Sequence, residues 1–132
     1  MSEGAIAYAG IDHVQLAGPP GCEPAARAFY AGLMGMTELP KPADMAKRGG
    51  CWFRCGAQEV HIGVEEGFHP SKKAHPALRL ADQESFAKLK ARLEANGVAL
   101  KPNSELAGVD RFFANDPFGN RIELVCLAAT SA

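Results

Sequence analysis

The chain repeats itself, and the repeat is what most limits its possible folds. One order of elements, a strand, a helix and three strands, is legible twice. The first pass has the alternating segment "IDHVQLA", a "GPPG" turn and the helical stretch "CEPAARAFYAGLMG". Ala26, Phe29, Tyr30 and Leu33 share one helix face there, and Gly35 suits the helix end. After the loop "KPADMAKRGG", the strands "CWFRC" and "QEVHIGV" follow, joined by a tight turn at Gly56 and Ala57. The second pass opens on "AHPALRLA", where Pro76 has no amide to donate and marks a strand start or edge. "DQESFAKLKARLEANG" reads as a helix capped by Asp82, with Phe86, Leu89 and Leu93 as its apolar stripe and Gly97 closing it. "VALKP", "VDRFFAND" and "NRIELVCLA" complete it as strands, the last two joined by the turn "NDPFGN". Length fits one domain over 1–132, with modules at about 9–66 and 74–128.

The repeat has a measurable step. His13 to His75 is 62 residues, and so is His61 to Glu123. Equivalent strand positions of a duplicated module meet around a pseudo-twofold axis, so these four side chains are expected to converge. Parity agrees. His13 and Gln15 share a strand face opposite Val14 and Leu16, and Glu59 and His61 oppose Val60, Ile62 and Val64. His75 and Arg79 oppose Leu78 and Leu80, while Arg121 and Glu123 oppose Ile122 and Leu124. The aliphatic faces are expected against the helices and the polar faces around a cup. Imidazole and carboxylate together suit Zn, Ni, Mn or Fe, so one divalent ion is the expected cofactor, held by His13, His61, His75 and Glu123. His61 is a fourth ligand, an outer partner or a proton acceptor; His61 and Glu123 are the candidate catalytic residues.

With these residues the chain resembles the vicinal oxygen chelate superfamily, which includes glyoxalase I, fosfomycin resistance transferases, extradiol dioxygenases and bleomycin resistance proteins. "IDHVQLAG", "AFYAGLMGM", "AHPALRL" and above all "DPFGNRIELV" carry the resemblance, over nearly the whole chain. It implies an α+β fold of two βαβββ modules curled into a half-barrel cup around a divalent metal. The ligands it implies come from the first and fourth strands of each module, here His13, His61, His75 and Glu123. Glyoxalase I usually has a glutamate where this chain has His61, whereas fosfomycin transferases and extradiol enzymes match a His13, His75, Glu123 set. The resemblance further implies a homodimer, in some members with the metal site shared between subunits. A glyoxalase-like lyase or isomerase acting on a small chelating substrate is the first functional expectation. A resistance-type binder or thiol transferase is the second and a dioxygenase the third.

Composition narrows the rest. A net charge of −1 gives no electrostatic case for nucleic acid or an anionic membrane. No window is long and apolar enough to span a bilayer, and "MSEGAIAYAGID" lacks the cationic start of a secretory signal, so a cytoplasmic location is expected. Cys22, Cys51, Cys55 and Cys126 have no metal-type spacing and read as reduced thiols. Gln15, Trp52, Arg79 and Arg121 are the expected substrate-binding residues, the arginines for a carboxylate or phosphate group. Of Phe112 and Phe113, adjacent on one strand, at most one can face the cup. His69, in the linker "EEGFHPSKK", has no repeat partner and reads as a solvated loop residue.

Overall fold

The computed structural model describes residues 4–103 and 105–128. Two four-stranded sheets follow one another along the chain, each with a helix crossing over to bring its first strand beside its last. The first sheet contains β1 (His13–Gly18), β2 (Thr37–Leu39), β3 (Cys51–Cys55) and β4 (Gln58–Val64), in the order β1-β4-β3-β2. The second contains β5 (Ala77–Arg79), β6 (Lys101–Pro102), β7 (Val109–Asn115) and β8 (Arg121–Leu127), in the order β5-β8-β7-β6. In each sheet the first strand pairs parallel with the last, and all other pairs are antiparallel. This is the expected α+β architecture.

Register repeats as well as order. Gln15 pairs with His61 in the first sheet and Ala77 with Glu123 in the second, each residue 62 positions after its counterpart. Trp52 lies across from His61, and Phe113 across from Glu123, so each fourth-strand candidate has an aromatic neighbour.

Two elements were assigned no residues in the sequence reading. The second strand of the first module is β2, three residues long and without apolar alternation. The loop before β3 contains one helical turn, α2 (Ala43–Ala46). The first crossover helix is also not uniform. α1 (Glu23–Ala26), with Pro24 in its first turn, runs into a π-helical segment at Arg27–Leu33, which ends with Met34 N donating to Phe29 O at 2.8 Å. α3 (Gln83–Ala95) is regular. Asp82 caps it by accepting from Ser85 N at 2.7 Å, and Phe86, Leu89 and Leu93 are buried.

The aliphatic faces of both sheets and the two crossover helices share one core. It includes Tyr30, Phe53, Val60, Ile62, Leu93, Phe112, Ile122 and Leu124. Phe112 lies in this core while Phe113 takes the opposite face, as alternation requires. A buried polar lock ties the halves together. Asp116 accepts from the Tyr30 hydroxyl at 2.7 Å, from the backbone of Phe118 and Asn120, and from Asn120 Nδ2, which also donates to Ala17 O at 2.7 Å. "NDPFGN" is therefore structural: it folds around one carboxylate and pins the second module to β1. All four cysteines are free, and burial pushes the Cys22, Cys51 and Cys55 thiols up. Among the described residues no helix is long and apolar enough to cross a membrane.

Candidate metal centre and its cleft

The polar face of the second sheet centres on Glu123. Its Oε1 lies 2.9 Å from His75 Nε2, and its Oε2 accepts from Arg111 Nη1 at 3.2 Å. Burial opposes ionisation of this carboxyl, but the hydrogen bonds and charges of His75 and Arg111 outweigh it and hold the group below its ordinary range. His75 Nδ1 lies 2.9 Å from Lys73 O. A carbonyl and a carboxylate both only accept, so His75 faces an acceptor at each nitrogen. With Nδ1–H given to Lys73, the Nε2 lone pair points at a carboxylate oxygen. That arrangement needs a proton or a cation in between. A metal-binding imidazole commonly ties its other nitrogen to an acceptor in this way, so the His75–Glu123 pair fits a divalent ion.

The first sheet carries the other two histidines. His61 is 6% exposed because it is sandwiched: Trp52 stacks on one face and His13 on the other, each with ring centroids 4.2 Å apart, at 6° and 16°. Its Nε2 is 2.9 Å from Glu59 Oε1, while His13 Nδ1 is 2.9 Å from Asp12 Oδ1. An imidazole lone pair lies in the ring plane. Two nearly parallel stacked rings cannot both aim at one ion, because an ion between them would sit far outside both planes. The stack therefore leaves room for one of these histidines as a ligand of a given ion, not both. His13 is the more accessible.

The four candidates thus appear as two pairs on two sheets. Among the described residues, no three His, Cys, Asp or Glu side chains of one chain gather as a metal site. The expected convergence of all four within a single chain is not met. The repeat makes positions equivalent, and both modules turn their helix faces into one shared core, but within one chain it leaves His13 with His61 and His75 with Glu123 as separate pairs.

A cleft of about 490 Å³ opens between the halves, lined by Gln15, Ala17, Phe68, His75, Asn120 and Arg121. Two of the expected substrate-binding residues, Gln15 and Arg121, meet a candidate ligand there. Gln15 lies over Gly63, where any Cβ would run into its amide nitrogen. The Arg121 guanidinium rests 4.1 Å from the Phe113 ring centroid. Trp52 instead packs on His61, and Arg79 lines a separate groove with Met34, Met36 and Cys55. His69 is exposed, as expected of a loop residue, yet it also borders the cleft.

Two site residues were passed over by the sequence reading. Arg111, not among the expected substrate-binding residues, is the arginine that reaches Glu123, and its buried Nε has no hydrogen-bond partner. Parity offered the signal, since Arg111 and Phe113 alternate onto one face. Glu59 was assigned the right face but no role.

The family model for the Glyoxalase/Bleomycin resistance protein/Dioxygenase superfamily matches residues 10–124. A solved protein from Bacillus anthracis ascribed to the glyoxalase family is 48% identical, with a TM-score of 0.88 over 94% of this chain and 99% of that one. Two further structures share the fold at lower identity. Lactoylglutathione lyase from Agrobacterium tumefaciens is 20% identical, with a TM-score of 0.69 over 90% of this chain and 94% of its own. A fosfomycin resistance protein from Listeria monocytogenes is 16% identical, with a TM-score of 0.73 over 92% and 96%. No curated protein matches the sequence.

Proposed function

The chain belongs to the Glyoxalase/Bleomycin resistance protein/Dioxygenase superfamily, and from that premise we propose that it is a divalent-metal-dependent enzyme of glyoxalase type. Its reaction is a lyase or isomerase step on a small molecule that chelates through adjacent oxygens. The observation that carries this reading is His75, caught between Lys73 O and the Glu123 carboxylate in a geometry that needs a proton or a cation and that a divalent ion would satisfy.

Since one chain offers its donors as separate pairs, the working unit is a homodimer. His75 and Glu123 of one copy would hold the ion together with His13 of the second copy. Zn, Ni, Mn or Fe suits this donor set. When bound, the ion supplies Lewis acidity that stabilises an enolate or oxyanion. The chain's own residues do the rest. Arg111 holds Glu123 by its second oxygen and keeps it ionised. Gln15 and Arg121 orient substrate in the cleft, Trp52 shields His61 from water, and His61 accepts the substrate proton.

The same ligand set supports a second reading. His13, His75 and Glu123, with the stacked His61 left out, resemble the set of fosfomycin-resistance transferases, and addition of a thiol to an epoxide would then replace isomerisation.

Elemental analysis after repletion with each of the four metals tests the shared part of both readings, with near-stoichiometric uptake expected. If none of the metals binds, a metal-free small-molecule binder takes the place of both.

A further inference from the structure

The stack around His61 does more than exclude it as a companion ligand to His13. We propose that Glu59 and His61 form a carboxylate–imidazole dyad in which Glu59 is a positioning residue, fixing His61 as the Nε2–H tautomer with Nδ1 as its one free lone pair. The inference rests on the reading of His61 as the proton acceptor of the site and names what makes it one.

Three observations carry it. Glu59 Oε1 is 2.9 Å from His61 Nε2, and an ionised carboxylate can only accept, so the hydrogen in that bond belongs to the imidazole. Both faces of the ring are covered, by Trp52 and by His13, with centroids at 4.2 Å, so the ring can neither tilt nor turn over without breaking two stacks. Among the described residues Nδ1 makes no hydrogen bond and is not one of the buried unpaired atoms, so it keeps an opening to solvent while the rest of His61 is covered. A lone pair that meets solvent and no protein donor, on a ring held in one plane, is open to a substrate proton. Glu59 itself is part-exposed and sits two residues before His61 on the same strand face, beside the Cα partners His13 and Arg54. It supports the ring from the rim and has no place in the core.

In an ordinary zinc-type site the carboxylate behind an imidazole orients it toward the metal. Here the same device serves a histidine that the stack turns away from sharing His13's ion. The division of labour is then explicit: His13 takes the ion, His61 takes the proton, and Glu59 decides which nitrogen of His61 is available.

The test is nitrogen-15 NMR of histidine-labelled full-length protein at alkaline pH, where imidazoles are neutral, without metal and then with added zinc. The expected result is His61 as the Nε2–H tautomer by about tenfold or more, as a charge-assisted hydrogen bond would impose. Its nitrogen shifts should be little changed by zinc, while those of His13 and His75 move. Glu59→Ala should reduce the tautomer bias at least severalfold and broaden the Nε2–H signal through faster exchange. Glu59→Gln, which keeps the shape, should fall between. A His61 nitrogen that coordinates zinc, or a tautomer ratio indifferent to both substitutions, would overturn the dyad. Were no histidine to respond to zinc, the metal reading would fall on its own, and the Glu59 variants would still decide the dyad.

Discussion

Glu123 is the only anionic member of the His13, His61, His75, Glu123 set, and the structure gives it two partners and a lowered carboxyl pKa. Its removal should therefore hurt a bound cation most. Glu123→Gln should lower zinc affinity by about a hundredfold or more, since the remaining imidazoles compensate none of the ion's charge. His61→Ala should lower it by less than about tenfold, through loosening of the His13 stack only. Competition against a fluorescent chelator ranks the two without knowledge of the reaction. Equal, negligible losses would mean these side chains merely face solvent. Parity made the face of each of these residues legible in the sequence. The contacts across it were not legible, because they depend on register. Only the pairing of Gln15 with His61 sets His13 diagonally against the His61 ring, and nothing in "IDHVQLAG" alone announces that.

At the scale of elements, two devices hold the sheets where the site needs them. Gly50 enters β3 at a φ of 87° with its Cα against β4, and a Cβ there would collide with the Ile62 carbonyl. Gly50→Ala should cost about 3 kcal/mol or more in a denaturant titration, from strain and steric displacement together. It should also disturb the Trp52–His61 stack, which lies two residues further along β3, visible in the fluorescence of the single tryptophan. The second device is the Tyr30–Asp116 bond. Burial, reinforced by the Asp116 charge, raises the Tyr30 phenol far above its ordinary value of 10.0. In the unfolded chain it ionises near that value. The bond's contribution is thus fully present below pH 10 and is lost progressively as pH rises further. Tyr30→Phe should destabilise the protein by about 1.5–3 kcal/mol at neutral pH and flatten the loss of stability at alkaline pH. An unchanged alkaline limb would contradict this account. These elements also show where sequence reading stops. The α3 cap and stripe were plain because Asp82, Phe86, Leu89 and Leu93 follow helical spacing. β2 was not, since "TEL" has no alternation and is a strand only because β3 lies beside it.

For the whole molecule, duplication explains both what was foreseen and what was not. A repeat of 62 residues predicts equivalent half-sites, and the shared register supplies them. It does not predict which half-sites meet, and within one chain the four candidates stay in two pairs. Edge strands β1 and β5, each next to a candidate ligand, leave open sheet edges consistent with a second copy. Light scattering should accordingly give a dimer at micromolar concentration, and a monomer would contradict the shared site. The most direct test is complementation. His13→Ala and Glu123→Gln chains should each bind zinc poorly alone. In a mixed dimer, one site then carries both substitutions and the other carries neither. After unfolding and refolding together, about a quarter of the wild-type number of tight zinc sites should return, one per mixed dimer. If the metal were held within one chain, every site in the mixture would lack a ligand, and no tight binding would be recovered.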